Sequence, residues 1–233
     1  MRIGIMQPYF LPYIGYFQLM NAVDKFVIYD DVKHAKKGWI NRNRILLNGK
    51  DHLFTLPLKK DSDFLDVRER SLSDNFETES KKILNKIATS YKKAPYYSQA
   101  YSTISDCFLY KERNLFKFIF HSIEKIREYL DIKTEILISS EIGLKERLRG
   151  EERVISICKH FGADHYINAI GGVELYDKET FLKENIKLNF IKSNSIEYKQ
   201  FANVFVPWLS VIDLMMFNSK EKMVEYLNSY TLI

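Results

Sequence analysis

The segment from Met1 to Asp31 limits the choice of fold more than any other. Ile3 to Met6 make a short apolar run that stops at Gln7-Pro8. After Pro12, Ile14, Phe17, Leu19 and Met20 recur at roughly helical spacing. Lys25-Phe26-Val27-Ile28-Tyr29 is a second apolar run, rich in strand formers, that ends at Asp30-Asp31. Strand, loop, helix and strand over so short a stretch read as one β-α-β unit, whose two strands pair in parallel.

The rest of the chain extends that reading. Asn48-Gly49 between Ile45-Leu46-Leu47 and Leu53-Phe54-Thr55-Leu56 is a strong hairpin signal, so the sheet is expected to be partly mixed. Apolar residues recur at three and four over 78–91 and again at Leu115, Ile119, Ile123, Ile126 and Leu130, which predicts amphipathic helices forming an added helical lobe. Strands are expected at 135–139, 165–168 and 186–191, with a helix carrying Val154, Ile157, Cys158 and Phe161 between the first two. Ser219 is placed to cap a final helix with Met223, Val224 and Leu227. Alternating strands and helices imply an α/β fold with a Rossmann-like sheet. The expected organisation is one domain over 1–233, with an α/β core and hairpin in 1–75, a helical insertion at about 76–132, and an α/β completion with C-terminal helices in 133–233.

Charge and cysteine content narrow the functions. The 35 Lys and Arg against 30 Asp and Glu leave only +5, with both signs mixed along the chain, which disfavours DNA and suits a modest anion such as a nucleotide diphosphate. Cys107 and Cys158 form neither a CxxC pair nor a zinc pattern, so no disulfide framework and no metal is expected. The opening apolar run is too short for a signal peptide and no run nears the length of a membrane span, so a cytoplasmic location is expected. No G-x-S-x-G elbow, P-loop or G-x-G-x-x-G fingerprint occurs, which disfavours standard hydrolases, kinases and dehydrogenases.

In an open α/β sheet, ligands gather where strands end, here at 7–13 and 30–43. The second segment, Asp30-Asp31-Val32-Lys33-His34-Ala35-Lys36-Lys37-Gly38-Trp39-Ile40-Asn41-Arg42-Asn43-Arg44, crowds carboxylates, cations, amides and an indole together. Lys36, Lys37, Arg42 and Arg44 have the chemistry to hold phosphates, or else form a solvated loop face. Asp30 and Asp31 suit a sugar hydroxyl, an ammonium or general-base work, with His34 beside them; the alternative is that the aspartates cap a turn. Trp39 either stacks on a ligand ring or fills the core. Gly171-Gly172 either lets backbone amides approach a ligand or makes a plain turn.

The runs Gln7-Pro8-Tyr9-Phe10-Leu11-Pro12-Tyr13-Ile14-Gly15-Tyr16-Phe17, Ala22-Val23-Asp24-Lys25-Phe26-Val27-Ile28-Tyr29-Asp30-Asp31-Val32 and Trp39-Ile40-Asn41-Arg42-Asn43 together resemble the WbqC-like family. So do Tyr91-Lys92-Lys93-Ala94-Pro95-Tyr96-Tyr97, Gly162-Ala163-Asp164-His165-Tyr166 and Phe205-Val206-Pro207-Trp208-Leu209-Ser210-Val211-Ile212-Asp213-Leu214, so the resemblance covers nearly the whole chain. It departs at Tyr13 and Lys33, where that family usually carries Trp and Gln. A more distant resemblance is to nucleotidyltransferase-type sheets, in which a strand runs into a His-x-Gly-His loop at a helix start. Tyr13-Ile14-Gly15-Tyr16 stands in that place, without the imidazoles, and no Lys-Met-Ser-Lys-Ser loop is matched.

The family resemblance implies a cytoplasmic enzyme of surface-polysaccharide (O-antigen, lipopolysaccharide) biosynthesis. The implied step is acyl or aminoacyl transfer, glycyl included, onto a nucleotide-linked amino sugar. The donor would be a coenzyme A thioester, a thioester on an acidic carrier protein, or an aminoacyl-tRNA. On that reading Asp30, Asp31 and His34 act in catalysis. Substrate is held by Gln7, Tyr13, Gly15, Tyr16, Lys36, Lys37, Trp39, Asn41, Arg42, Asn43, Arg44, Gly171 and Gly172. The alternative is a non-catalytic module, derived from a nucleotidyltransferase fold, that holds a nucleotide sugar or a carrier protein.

Overall fold

A computed structural model of the chain describes residues 1–144, 148–202 and 204–233. It is an α/β fold with a mostly parallel central sheet. Strand β1 (Arg2–Met6) leads through helix α1 (Ile14–Asn21) into β2 (Lys25–Ile28), which lies parallel beside it with Ile3 opposite Lys25 and Met6 opposite Ile28. A hairpin follows, β3 (Arg42–Leu47) and β4 (Lys50–Thr55), and then helices α2 (Phe76–Tyr91), α3 (Tyr97–Leu109) and α4 (Leu115–Tyr129). The chain returns to the sheet as β5 (Glu135–Ile138), α5 (Gly150–His160), β6 (His165–Ala169), α6 (Lys178–Lys183) and β7 (Lys187–Ser193), and closes with α7 (Val211–Phe217), α8 (Lys220–Leu227) and β8 (Tyr230–Leu232).

The six strands of the central sheet run in the order β5-β2-β1-β6-β7-β8. The order grows outward from β1 through β2 to β5, and then jumps across β1 to β6 and β7. That jump puts a topological switch point between β1 and β6, where the connections leave the sheet in opposite directions and open a crevice at the carboxyl ends of the strands.

Strand alternation explains the two cores. Phe26, Ile28 and Ile167 face one side and pack with α1, α4 and α7, while Ile3, Ile5, Val27, Tyr166, Leu188 and Phe190 face the other and pack with α5 and α6. The first core continues into the α2–α4 helices and the hairpin, with Phe10 meeting Phe108 edge-on at 5.0 Å between ring centroids.

Three elements differ from the sequence expectation. The sheet is mixed because β8 pairs antiparallel with β7, Ile191 opposite Leu232. The hairpin forms as expected, with positive φ at Asn48 (52°) and Gly49 (74°), but it is a separate two-stranded sheet. Helix α3 lacked a strong apolar repeat because Ser and Thr dilute it, although Ala100, Ile104, Cys107 and Phe108 do fall on one buried face.

Among the described residues, no helix is long and apolar enough to cross a membrane.

Candidate functional site

A cavity of about 480 Å³ opens at the switch point. Met6 and Ala169 contribute the ends of β1 and β6, and Ile191, Lys192 and Ser193 the end of β7. Tyr9, Pro12, Tyr13, Gly15 and Tyr16 line it from the loop after β1 and the start of α1; Trp39, Asn43 and Arg44 line it from the hairpin side. Trp208 comes from the segment before α7. The size is that of a small-ligand site, and the walls are largely aromatic.

Long-range hydrogen bonds to backbone fix these walls. Asn43, buried, donates from Nδ2 to the carbonyls of Leu11 (2.7 Å) and Phe10 (3.3 Å), and so ties the loop after β1 to β3. Ser210 Oγ donates to Leu11 O at 2.6 Å, and the Ser210 and Val211 amides donate to Arg44 O and Pro12 O, both at 2.9 Å. Trp208, two residues before Ser210, stands at φ +61°, an uncommon conformation for a bulky residue. Its ring stands 5.3 Å from that of Tyr13.

Trp39 and Trp208 are 44% and 59% exposed, so neither belongs to the core. The guanidinium groups of Arg42 and Arg44 flank the Trp39 ring at 5.3 and 5.4 Å. Arg44 is held further by Asp51 (3.3 Å) and by donating to Trp208 O (3.2 Å).

The start of α1 has no side-chain cap, and Gly15 and Tyr16 in its first turn line the cavity. A Cβ on Gly15 would come within 3.0 Å of Ser193 Oγ and 3.2 Å of the Tyr13 ring, so any side chain there would reshape the wall. Tyr16 Oη is buried without a hydrogen-bond partner among the described residues. Burial, with Tyr9 beside it, pushes the Tyr16 phenol well above its ordinary pKa, so it stays protonated and able to donate. Gln7 lies just behind the wall, accepting from Tyr9 Oη at 3.2 Å.

The remaining candidates stand elsewhere. Asp30 is buried and accepts from Ser139 Oγ (2.9 Å), Ser140 N (3.0 Å) and Ser140 Oγ (2.7 Å), which ties the end of β2 to the turn after β5. Asp31 is paired with Arg153 and also lies against Ser139 Oγ. Both carboxylates are engaged by protein groups, and neither lines the aromatic cavity.

His34, Lys36, Asn41 and Arg42 line a separate cavity of about 360 Å³. Asn41 Nδ2 donates to Leu56 O (2.8 Å), which orients its Oδ1 toward His34 Nε2 (3.1 Å) and assigns the imidazole proton to Nε2. Burial lowers the His34 pKa, with nearby Arg70 adding to the effect, so the ring is neutral. Lys37 is exposed and lines neither cavity; its carbonyl accepts from Arg42.

Gly171 and Gly172 sit in a 3-10 turn over 170–175, directly after β6. A Cβ on Gly172 would strike the buried Asn168 amide, with Cγ at 3.1 Å, whereas Gly171 has open space. Gly172→Ala is therefore expected to lose about 1–3 kcal/mol of stability through overpacking. Gly171→Ala should stay within about 0.5 kcal/mol, and urea denaturation of both variants checks the contrast.

Ala169, Ile170, Lys192, Ser193 and Trp208 also line the cavity, beyond the residues expected from the sequence. The strand-end rule applied to the predicted strands at 165–168 and 186–191 would have pointed to the first four.

The profile of the WbqC-like protein family matches residues 7–225. The chain belongs to the WbqC-like family. A relative within the curated proteins, the uncharacterized protein Rv1507c of Mycobacterium tuberculosis (strain ATCC 25618 / H37Rv), is 26% identical over 228 residues, covering 97% of each chain. No solved structure matches. The matched span takes in every residue of this WbqC-like chain that lines the aromatic cavity except Met6.

Proposed function

We propose that this WbqC-like protein binds a nucleotide-linked amino sugar in the switch-point cavity and serves as a transferase that places an acyl or aminoacyl group, glycyl among them, on the sugar amine. The setting would be surface-polysaccharide biosynthesis in the cytoplasm. One observation carries the reading: two half-exposed tryptophans and three tyrosines wall a cavity at the switch point, with Arg44 and Lys192 as its cations. Aromatic faces stack on nucleobases and on the apolar faces of sugars, and the two cations and the uncapped start of α1 suit a diphosphate.

In this reading Trp208 and Tyr13 stack on the ligand ring, Arg44 and Lys192 hold phosphate oxygens, and the acyl donor brings its carbonyl to the sugar amine. The amine attacks that carbonyl, the new C–N bond replaces the C–S or C–O bond of the donor, and the departing thiol or hydroxyl takes up the amine proton. An acidic carrier protein would be an electrostatically suitable donor for a chain of net charge +5.

A second reading, a non-catalytic holder of the nucleotide sugar, is favoured by one observation: no carboxylate or imidazole lines the aromatic cavity among the described residues. The test is a thermal-shift screen with dTDP- and UDP-linked amino sugars, followed by mass detection of product with coenzyme A thioesters, carrier-protein thioesters and aminoacyl-tRNA. An amino-sugar nucleotide at 100 times its Kd should stabilise the fold by about 2.7 kcal/mol. Product with one donor supports the transferase, binding without product on every donor supports the holder, and no binding removes both.

A further inference from the structure

We infer that the second cavity, enclosed by the hairpin and the 57–70 segment, is an oxyanion site that takes a phosphate group. The inference does not depend on the amino-sugar reading, because it concerns a different cavity.

Its centre is Arg70. This residue is 5% exposed and lines the cavity, yet its Nε and Nη2 are buried with no hydrogen-bond partner among the described residues. Its backbone is pinned on two sides, the Arg70 amide to Val67 O at 3.2 Å and the Arg70 carbonyl to the Leu115 amide at 2.9 Å. The neighbouring 3-10 turn is tied to the end of β2 by Arg68 N to Asp30 O (3.1 Å) and Val67 N to Val32 O (2.9 Å). The Arg70 backbone is therefore placed by the fold.

A buried guanidinium without an acceptor destabilises a protein unless something completes it. Phosphate is a matched partner, since its oxygens accept charge-assisted bonds from the guanidinium and ammonium groups that line the cavity. The rest of the lining agrees. Lys36 and Lys59 are paired with Asp63 (2.7 Å) and Asp74 (3.2 Å), whereas Lys60, Arg42 and Arg70 have no carboxylate partner among the described residues. Asp61 also lines the cavity, and three unpaired cations exceed it.

The two cavities are neighbours. Arg42 and Arg44 lie two residues apart on β3 and straddle Trp39, with Arg42 lining the oxyanion cavity and Arg44 the aromatic one. A phosphate here belongs either to the ligand of the aromatic cavity, reaching across the indole, or to a second, phosphate-bearing ligand.

The experiment titrates inorganic pyrophosphate into the full chain at physiological ionic strength, followed by calorimetry and by melting temperature. Wild type should bind saturably. Arg70→Met should melt several degrees above wild type without anion, because an unsatisfied charge is gone, and should lose at least tenfold in pyrophosphate affinity. Lys60→Gln should weaken binding with an unchanged melting temperature, which keeps the test open if the methionine variant misfolds. Absence of saturable binding to wild type, or wild-type affinity in both variants, overturns the assignment. Repeating the titration with saturating dTDP separates the two sources. Competition assigns the phosphate to the aromatic cavity's own ligand and additive binding to a second one, and either result leaves the oxyanion site in place.

Discussion

Asp213→Ala should unfold the protein at a markedly lower urea concentration than wild type, with a loss of about 3–5 kcal/mol. Asp213 lies in the first turn of α7, wholly buried, and no cation answers it among the described residues. Three neutral donors do: Tyr91 Oη to Oδ1 at 2.8 Å, and Tyr198 Oη and Gln200 Nε2 to Oδ2 at 2.6 and 2.7 Å. Tyr91 in turn accepts from the Leu46 amide at 2.7 Å, and Gln200 exchanges bonds with the Val206 amide (2.7 Å) and carbonyl (3.1 Å). One carboxylate thereby joins the end of α2, the hairpin, the 198–206 segment and α7.

Alanine removes the acceptor of three donors, Tyr91 and Gln200 buried and Tyr198 part-buried, at about 1–3 kcal/mol for each buried one, against a total stability of about 5–15 kcal/mol. A loss under about 1 kcal/mol would mean that water or neighbouring carbonyls satisfy those donors, and that the network does not hold α7.

The same residue gives a pH signature. Burial raises the Asp213 pKa from its ordinary 3.8, although its three hydrogen bonds act in the opposite direction. A raised native pKa means that the folded state holds the proton more tightly than the unfolded chain. The contribution is then full below 3.8 and is lost as pH rises through the native pKa. The stability difference between wild type and Asp213→Asn, measured across that window, should fall with rising pH; a flat difference would mean that the carboxyl titrates alike in both states.

Local signals made the framework legible. The Ile3–Met6 and Lys25–Tyr29 runs around one helical repeat specify a parallel pair, Asn48-Gly49 specifies its turn, and the spacing of Leu115 to Ile126 specifies α4, because each depends on residues near in sequence. What stayed hidden depends on contacts between distant residues. Nothing in Tyr230-Thr231-Leu232 says that it will pair with β7, and nothing around Asp213 announces partners at Tyr91 and Tyr198. The site followed the same division. Tyr13, Gly15 and Tyr16 converge on the aromatic cavity as short steps from the end of β1, and Trp39, Asn43 and Arg44 join them from the connection after β2 and the start of β3. Asp30 and Asp31, at an equally prominent strand end, meet Ser139, Ser140 and Arg153, which sequence distance concealed.

Trp208→Gly should separate ligand binding from folding more sharply than any other change at the cavity. The segment on its carboxyl side is fastened by Ser210 and Val211 to Arg44, Leu11 and Pro12, and Trp208 itself stands at φ +61°. A left-handed conformation costs a non-glycine residue about 1–2 kcal/mol, which glycine avoids. Glycine gives back about 0.5–1 kcal/mol through the entropy of the unfolded chain. The indole is 59% exposed, so about two-fifths of it leaves contact, which offsets the relieved strain and should lower the melting temperature by no more than a few degrees. A strained, exposed aromatic kept at a cavity mouth makes sense if its face is needed there. If it stacks on the ring of a nucleotide sugar, its removal costs about 1–3 kcal/mol of binding, or roughly 5- to 150-fold in Kd. Trp208→Phe should keep most of the affinity, since it retains a face of similar placement. Calorimetric titration of both variants with the nucleotide sugar found in the screen decides the matter. Unchanged affinity in Trp208→Gly would show that the indole does not touch the ligand, and a fall in melting temperature of more than a few degrees would show that it supports the fold instead.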